Sequence, residues 1–213
     1  MKQTYFAGLL VRKERWSLSS PGKLLVLALG VVLAIAAQRV VNPFLSVSHP
    51  VQSDFLIVEA WVGRYVMRQA ACEFKRGHYR KLFLVHGFHE EDKTYEDRNE
   101  LVKRGVQPES IEIVSSPAVR RDRTYHLALA VRDWFQERGE RPASLDVITL
   151  GPHARRSKLM FEKAFGNSAN IGIVALDDLA YDGEHWWRSS EGVREVVGEV
   201  IAYIYARFYF VWT

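Results

Sequence analysis

The stretch "LDVITLGPHARRSKLMFEKAFG", residues 145–166, decides the fold class. An apolar run stops at Gly151-Pro152, and a helical pattern follows. A strand, a tight turn and a helix are half of a βαβ unit. The same order recurs upstream. "DFLIVEA" (54–60) is a short run of β-formers, followed by a helical stripe at Val66, Met67, Ala70, Ala71 and Phe74. "KLFLVHG" (81–87) is a second strand, and a helix near Tyr95–Arg104 stops at Gly105. "SIEIVSS" (110–116) is a third, followed by a helical face at Leu127, Val131, Trp134 and Phe135. After the quoted unit come "NIGIVALD" (170–177), a fifth strand, and a last helix over roughly 190–210.

Strands alternating with helices predict an α/β domain: a three-layer, Rossmann-like parallel sheet of about five strands with helices on both faces. Right-handed crossovers send every strand-to-helix loop out at the carboxyl edge. Ligands of open α/β sheets bind there. His86, Ser115, Ser116, Asp122, Thr124 and His153 are therefore expected near a common rim.

The N-terminal part differs in kind. "LLVLALGVVLAIAAQ", Leu24 to Gln38, contains no charge. Extended by its flanks, it approaches the roughly 20 residues a spanning helix needs. Lys2, Arg12, Lys13, Arg15 and Lys23 precede it, against Glu14 alone. That bias predicts a cytoplasmic N-terminus and a domain outside a plasma (inner) membrane. The expected division is a basic tail at 1–23, an anchor at 24–41, a linker at 42–53 and the α/β domain at 54–213. A cleaved signal peptide ending near "AIAA" (34–37) is a second reading, and a buried core helix is a third.

The formal net charge is +4. Beyond Arg39, however, 23 basic residues face 24 acids. A nucleic-acid partner is not expected of so balanced a domain. Cys72 is the only cysteine, so no intramolecular disulfide forms. It is expected to be packed within its amphipathic helix. "HGFHEED" (86–92) spaces two histidines among acids, but on a loop this is weak evidence for metal, and no metal site is assigned. No phosphate-binding Walker loop, Gly-x-Gly-x-x-Gly or Gly-x-Ser-x-Gly is present. The cofactor stays unknown at this point.

The helix of the quoted stretch opens with His153, Arg155 and Arg156. A helix start carries partial positive charge, so cations there are misplaced by about 0.3–1 kcal/mol each. The helix after the third strand opens likewise, with Arg120, Arg121 and Arg123 around Asp122 and Thr124. The helix after the first strand opens with Arg64. Three such starts on one edge suggest an anionic ligand, held by arginine forks and free N–H groups. Solvated loop arginines are the alternative. His153 suits proton transfer, anion donation or capping. Asp122 caps its helix or faces ligand, Thr124 binds ligand or steadies the turn, and Glu59 ends the first strand facing a pocket or solvent.

These features resemble the SanA/ElyC/YdcF family over nearly all of residues 54–210. The matching features are the apolar strand "FLIVEAWV", the turn at His86-Gly87, Leu101 to Val106 before the third strand, "RDRTYHLA" opening a helix, and the H-x-x-R of His153-Ala154-Arg155-Arg156. The resemblance implies a Rossmann-like fold, an N-terminal membrane segment and a role in envelope barrier or peptidoglycan-related physiology. It implies Thr124, His153 and Arg156 as site residues. The family's glycine-rich turn is reduced here to Gly87, and its Glu-Ser-x-Asn is replaced by Arg121-Asp122-Arg123, making this pocket more cationic. The expected ligand is a phosphorylated or carboxylated metabolite, or a lipid-linked precursor, bound by Thr124, Arg156, Arg123, Asp122, Arg155, His86, Gly87 and Glu59. His153 is the expected acid/base of a hydrolase or transferase. A non-catalytic module for a nucleotide-like ligand or for assembly is the alternative. The C-terminal face Val193, Val197, Val200, Ile201 and Ile204 is expected to pack on the sheet. Tyr203, Tyr205, Tyr209, Phe210 and Trp212 lie to its other side, where they are expected to meet the anchor or the membrane interface; an ordinary core helix is the alternative.

Overall fold

A computed structural model describes residues 4–5, 10–11, 18–61, 63–88 and 91–211. The chain divides into two compact units, Met1–Ala37 and Gln38–Thr213. In the first, Thr4–Tyr5 and Leu10–Val11 pair antiparallel. A helix, α1 (Ser20–Leu45), begins there and ends in the second unit. It is long and apolar enough to cross a membrane. Its 26 residues span about 39 Å at 1.5 Å each.

The second unit is an α/β domain. Its strands are β1 (Phe55–Glu59), β2 (Lys81–His86), β3 (Ile111–Ser115), β4 (Ser144–Leu150) and β5 (Asn170–Leu176). All neighbouring pairs are parallel, in the order β3-β2-β1-β4-β5. The helices are α2 (Arg64–Arg76), α3 (Glu91–Lys103), α4 (Arg123–Glu137), α5 (Ala154–Phe165) and α6 (Ser190–Ile204). A π turn, Tyr205–Tyr209, extends α6.

The core explains the layers. Ile57, Phe83 and Val147 pack with Val131 and Phe135 of α4 and Phe161 of α5. Leu56, Leu84 and Ile148 pack on the opposite face with Met67 of α2 and Leu101 of α3. Every β1 residue is buried, as a central strand covered on both faces requires. The chain starts in the middle, winds outward through β2 and β3, then crosses back to β4. The sheet's order reverses between β1 and β4, and ligands of such sheets bind in the crevice that this switch point opens.

The segment expected as a linker is partly structured. Asn42–Leu45 complete α1, and His49 makes an antiparallel bridge to Ile173 of β5. Val51 N and the Tyr79 hydroxyl each donate to the buried Asp146 carboxylate at 2.8 Å. Burial pushes the Asp146 carboxyl up, against those two donors. Gly172 faces it, and a Cβ there would lie 1.8 Å from Asp146 Oδ1, so no side chain fits.

Two expectations are corrected. Cys72 is exposed, on the outer side of α2, because the stripe that packs runs through Val66, Met67, Ala70 and Ala71 instead. The α6 face does not pack on the sheet as one surface. Val193, Val197, Ile201 and Ile204 are exposed. Val196 is buried instead, against Leu45 and Trp186, with Val200 and Tyr203 partly buried beside it. Trp212 lies outside the described residues.

Candidate functional site

The crevice between β1 and β4 holds a polar cluster. Glu59 is the last residue of β1 and is fully buried. By strand alternation it points to the α4/α5 face, as Phe55 and Ile57 do. β4 ends at Leu150, and Gly151, at φ +35°, turns the chain into a 3-10 turn that delivers His153 above the same face. Arg156 and Ser157 follow on the first turns of α5. Thr124 comes from the start of α4, and Glu199 from the middle of α6.

Glu199 answers the misplaced cations of α5. Its Oε2 accepts from Arg156 Nε, and its Oε1 from Arg156 Nη2, both at 2.8 Å. His153 Nδ1 also lies 2.8 Å from Oε1. A carboxylate only accepts, so this ring nitrogen carries its proton toward Glu199. Arg156 Nη2 lies 2.8 Å from Nδ1 because both donors converge on one oxygen. Arg156 Nη1 donates to the Thr124 hydroxyl at 3.1 Å. The anion inferred at this helix start is thus supplied by the chain itself. Burial pushes the Glu199 carboxyl up, but hydrogen bonds and charge from Arg156 and His153 outweigh it and hold it at about 2. Burial pushes the Arg156 guanidinium down, and Glu199 reverses this, leaving it raised.

The far side of the imidazole is less satisfied. His153 Nε2 lies 3.6 Å from Glu59 Oε2. That oxygen accepts from the Ser157 hydroxyl at 2.9 Å and from Trp61 Nε1 at 3.4 Å. The Trp61 ring meets the imidazole edge-on, with centroids 4.7 Å apart. Glu59 Oε1, Thr149 Oγ1 and His153 Nε2 are buried without a hydrogen-bond partner among the described residues. Such orphaned atoms are rare and concentrate where proteins bind or react. In the neutral ring Nε2 is the lone-pair nitrogen, so the arrangement is a carboxylate-oriented imidazole able to take up a proton.

A cavity of about 460 Å³ opens above this cluster. His153, Arg156, Glu195 and Glu199 line it with Trp61, and Arg120, Arg121, Asp122, Arg123 and Thr124 form the side contributed by the start of α4. Asp122 is the N-cap residue of α4 but makes no side-chain cap bond. It is held in the left-handed region at φ +55°, a conformation that costs a non-glycine residue roughly 1–3 kcal/mol and collects at functional sites. A larger cavity, about 940 Å³, lies at the end of β5. Asp177, Asp178, Asp182 and Glu184 line it with Arg39 and His185, so acids outnumber bases there.

The sequence-derived candidates divide accordingly. Glu59, Asp122, Arg123, Thr124, His153 and Arg156 come together around the switch point. Arg155 does not. Its guanidinium donates to the Phe44 carbonyl and lies over the Phe44 ring, 3.9 Å from its centroid. His86 and Gly87 are also apart. His86 is buried, with Nδ1 on the Gly87 carbonyl at 2.8 Å and Nε2 on the Ser115 hydroxyl at 2.7 Å. Gly87 borders a different cavity, shared with Ser116, Arg120 and Arg123. The side chain of Arg64 and residues 89–90 lie outside what the structure describes. The sequence reading missed Glu199, Glu195, Trp61 and Ser157. Two glutamates four apart, Glu195 and Glu199, within the apolar C-terminal helix were the available signal. No family model matches the chain, and no curated protein matches it.

Two expectations follow. Arg156→Ala removes two of the three donors to the partly buried Glu199 carboxylate and should cost about 1.5–3 kcal/mol, the range for hydrogen bonds to charged groups. Arg156→Met combined with Glu199→Leu should recover most of that loss in urea unfolding. An Arg156→Ala protein as stable as wild type would show that the pair holds nothing together. The second concerns pH. The folded pKa of Glu199, about 2, lies below the unfolded value of about 4.3. Its stabilisation is therefore complete above that unfolded value and is lost as pH falls through about 2. Thermal melts between those limits should show wild type losing its advantage over Glu199→Gln. A constant difference would contradict the assignment.

Proposed function

We propose that this is a membrane-anchored envelope protein whose α/β domain, outside the cytoplasm, binds an anionic metabolite in the cavity at the switch point. The phosphate or carboxylate of the ligand meets Arg120, Arg121 and Arg123. Its reacting group lies toward His153, which exchanges a proton with it in a hydrolase or transferase reaction. The observation that carries this reading is the pairing of a carboxylate-oriented imidazole with an arginine-lined side in one cavity. Arg156 is partly engaged within the chain. Three of its N–H groups are engaged by Glu199 and Thr124, so at most two of five remain for a ligand. Arg120, Arg121 and Arg123 add three more cationic side chains to the lining of the same cavity.

The apolar α1 and the basic residues before it support the anchor and its orientation. The resemblance to the SanA/ElyC/YdcF family supports an envelope role, and its H-x-x-R lies at the switch point.

Binding separates the parts of this reading. The full chain in lipid nanodiscs should bind inorganic phosphate and a sugar phosphate in calorimetry. Losing one ligand-pairing arginine should cost about 1.5–3 kcal/mol, the range for hydrogen bonds to charged groups. The combined Arg120→Ala, Arg121→Ala, Arg123→Ala protein should therefore lose measurable binding. His153→Ala should keep binding but lose release of phosphate from phosphorylated substrates. Binding by wild type without turnover of any phosphorylated or carboxylated compound would favour the non-catalytic module. A folded protein that binds neither anion would end the anion reading.

A further inference from the structure

Helix α6 has three differently used faces. One points into the cavity, with Glu195, Glu199 and Ala202. A second holds Val196, buried against Leu45 and Trp186, with Val200 and Tyr203 partly buried beside it. The third carries Val193, Val197, Ile201, Ile204 and Phe208, all exposed, with Ile201 at 65% and Phe208 at 74%. Their spacings of four, four, three and four residues draw one apolar stripe along the helix and its π turn. Five large apolar side chains in a row are not the scattered exposure normal for a soluble surface.

We propose that this stripe rests on the lipid bilayer, at the level of its headgroups. The proposal rests on the reading of α1 as a membrane anchor. Two observations favour lipid as the occupant. The stripe lies on the helix that packs against the end of α1: Val41 and Leu45 share one apolar cluster with Val196 and Val200, and the Phe44 and Tyr203 rings meet edge-on at 5.7 Å. Tyr205 and Tyr209 are exposed beside it, and Arg207 lies between them in the chain. Tyrosine and arginine beside an apolar face are the composition of an interfacial helix. One helix then lays an apolar face on the membrane and lines the ligand cavity with another.

Spin labelling of the full chain tests this. In a Cys72→Ser background, nitroxides are placed by Ile201→Cys and Phe208→Cys. References are Val31→Cys, within the apolar run, and Gln136→Cys, on the exposed end of α4. The protein is reconstituted in phosphatidylethanolamine–phosphatidylglycerol vesicles, and collisions with oxygen and with a water-soluble nickel chelate are measured. The expected result is loss of nickel collisions with gain of oxygen collisions at 201 and 208, Val31 deeper still, and Gln136 fully open to nickel. Nickel access at 201 and 208 with Val31 in lipid would overturn the stripe proposal while leaving the anchor in place. Nickel access at Val31 would overturn both. Shielding of 201 and 208 from both reagents, with spin–spin broadening, would replace lipid by a second copy of the chain.

Discussion

The Glu199 carboxylate is the point on which the site depends. It is the acceptor for two cationic or proton-bearing side chains of the strand-to-helix corner after β4, and it arrives from a helix more than forty residues later in the chain. Without it, an unanswered Arg156 cation and an unpaired His153 N–H would stand at the positive end of α5. With it, the helix start is neutralised, the imidazole tautomer is set and α6 is fastened over the crevice. Burying such a pair stabilises little by itself, since desolvation offsets most of the attraction. Its value is positional, because either partner alone is costly where it stands. The position of Glu199 thus determines both the wall of the cavity and the orientation of the imidazole in it.

The cavity that results has divided polarity. Glu199 and the buried Glu59 lie against the imidazole and Glu195 also lines the cavity, while Arg120, Arg121 and Arg123, with Asp122 among them, come from the start of α4. A purely anionic ligand would suit only the arginine side. The proposed ligand fits better if its phosphate or carboxylate stays with the arginines and a hydrogen-bond donor, such as a sugar hydroxyl, reaches the acceptors deeper in.

The fold was legible in the sequence because its strands are buried on both faces. Runs such as "FLIVE" and "LFLVH" have no polar alternation to blur them, and their ends fell within a residue or two. Glu59 and His86 stood out for the same reason, as polar residues closing apolar runs. The strand order, and with it the switch point, was not legible, since parallel strands carry no local mark of their neighbours. The α6 face misled because periodicity shows which face is apolar and not what covers it. Arg156 shows a related limit. A cation at a helix start implies an anion nearby, but the sequence does not say whether ligand or chain supplies it. Cys72 was placed one step around α2 from where it lies, because a short helix with many small residues has a soft boundary between its faces.

Glu199 holds the His153 proton on Nδ1 and leaves Nε2 as the lone-pair nitrogen facing Glu59. Nitrogen-15 NMR of ring-labelled protein near neutral pH reads this directly. Wild type should show a protonated Nδ1 and an unprotonated Nε2, with the two tautomers mixing in Glu199→Gln. A proton found on Nε2 alone in wild type, unmoved by Glu199→Gln, would contradict it.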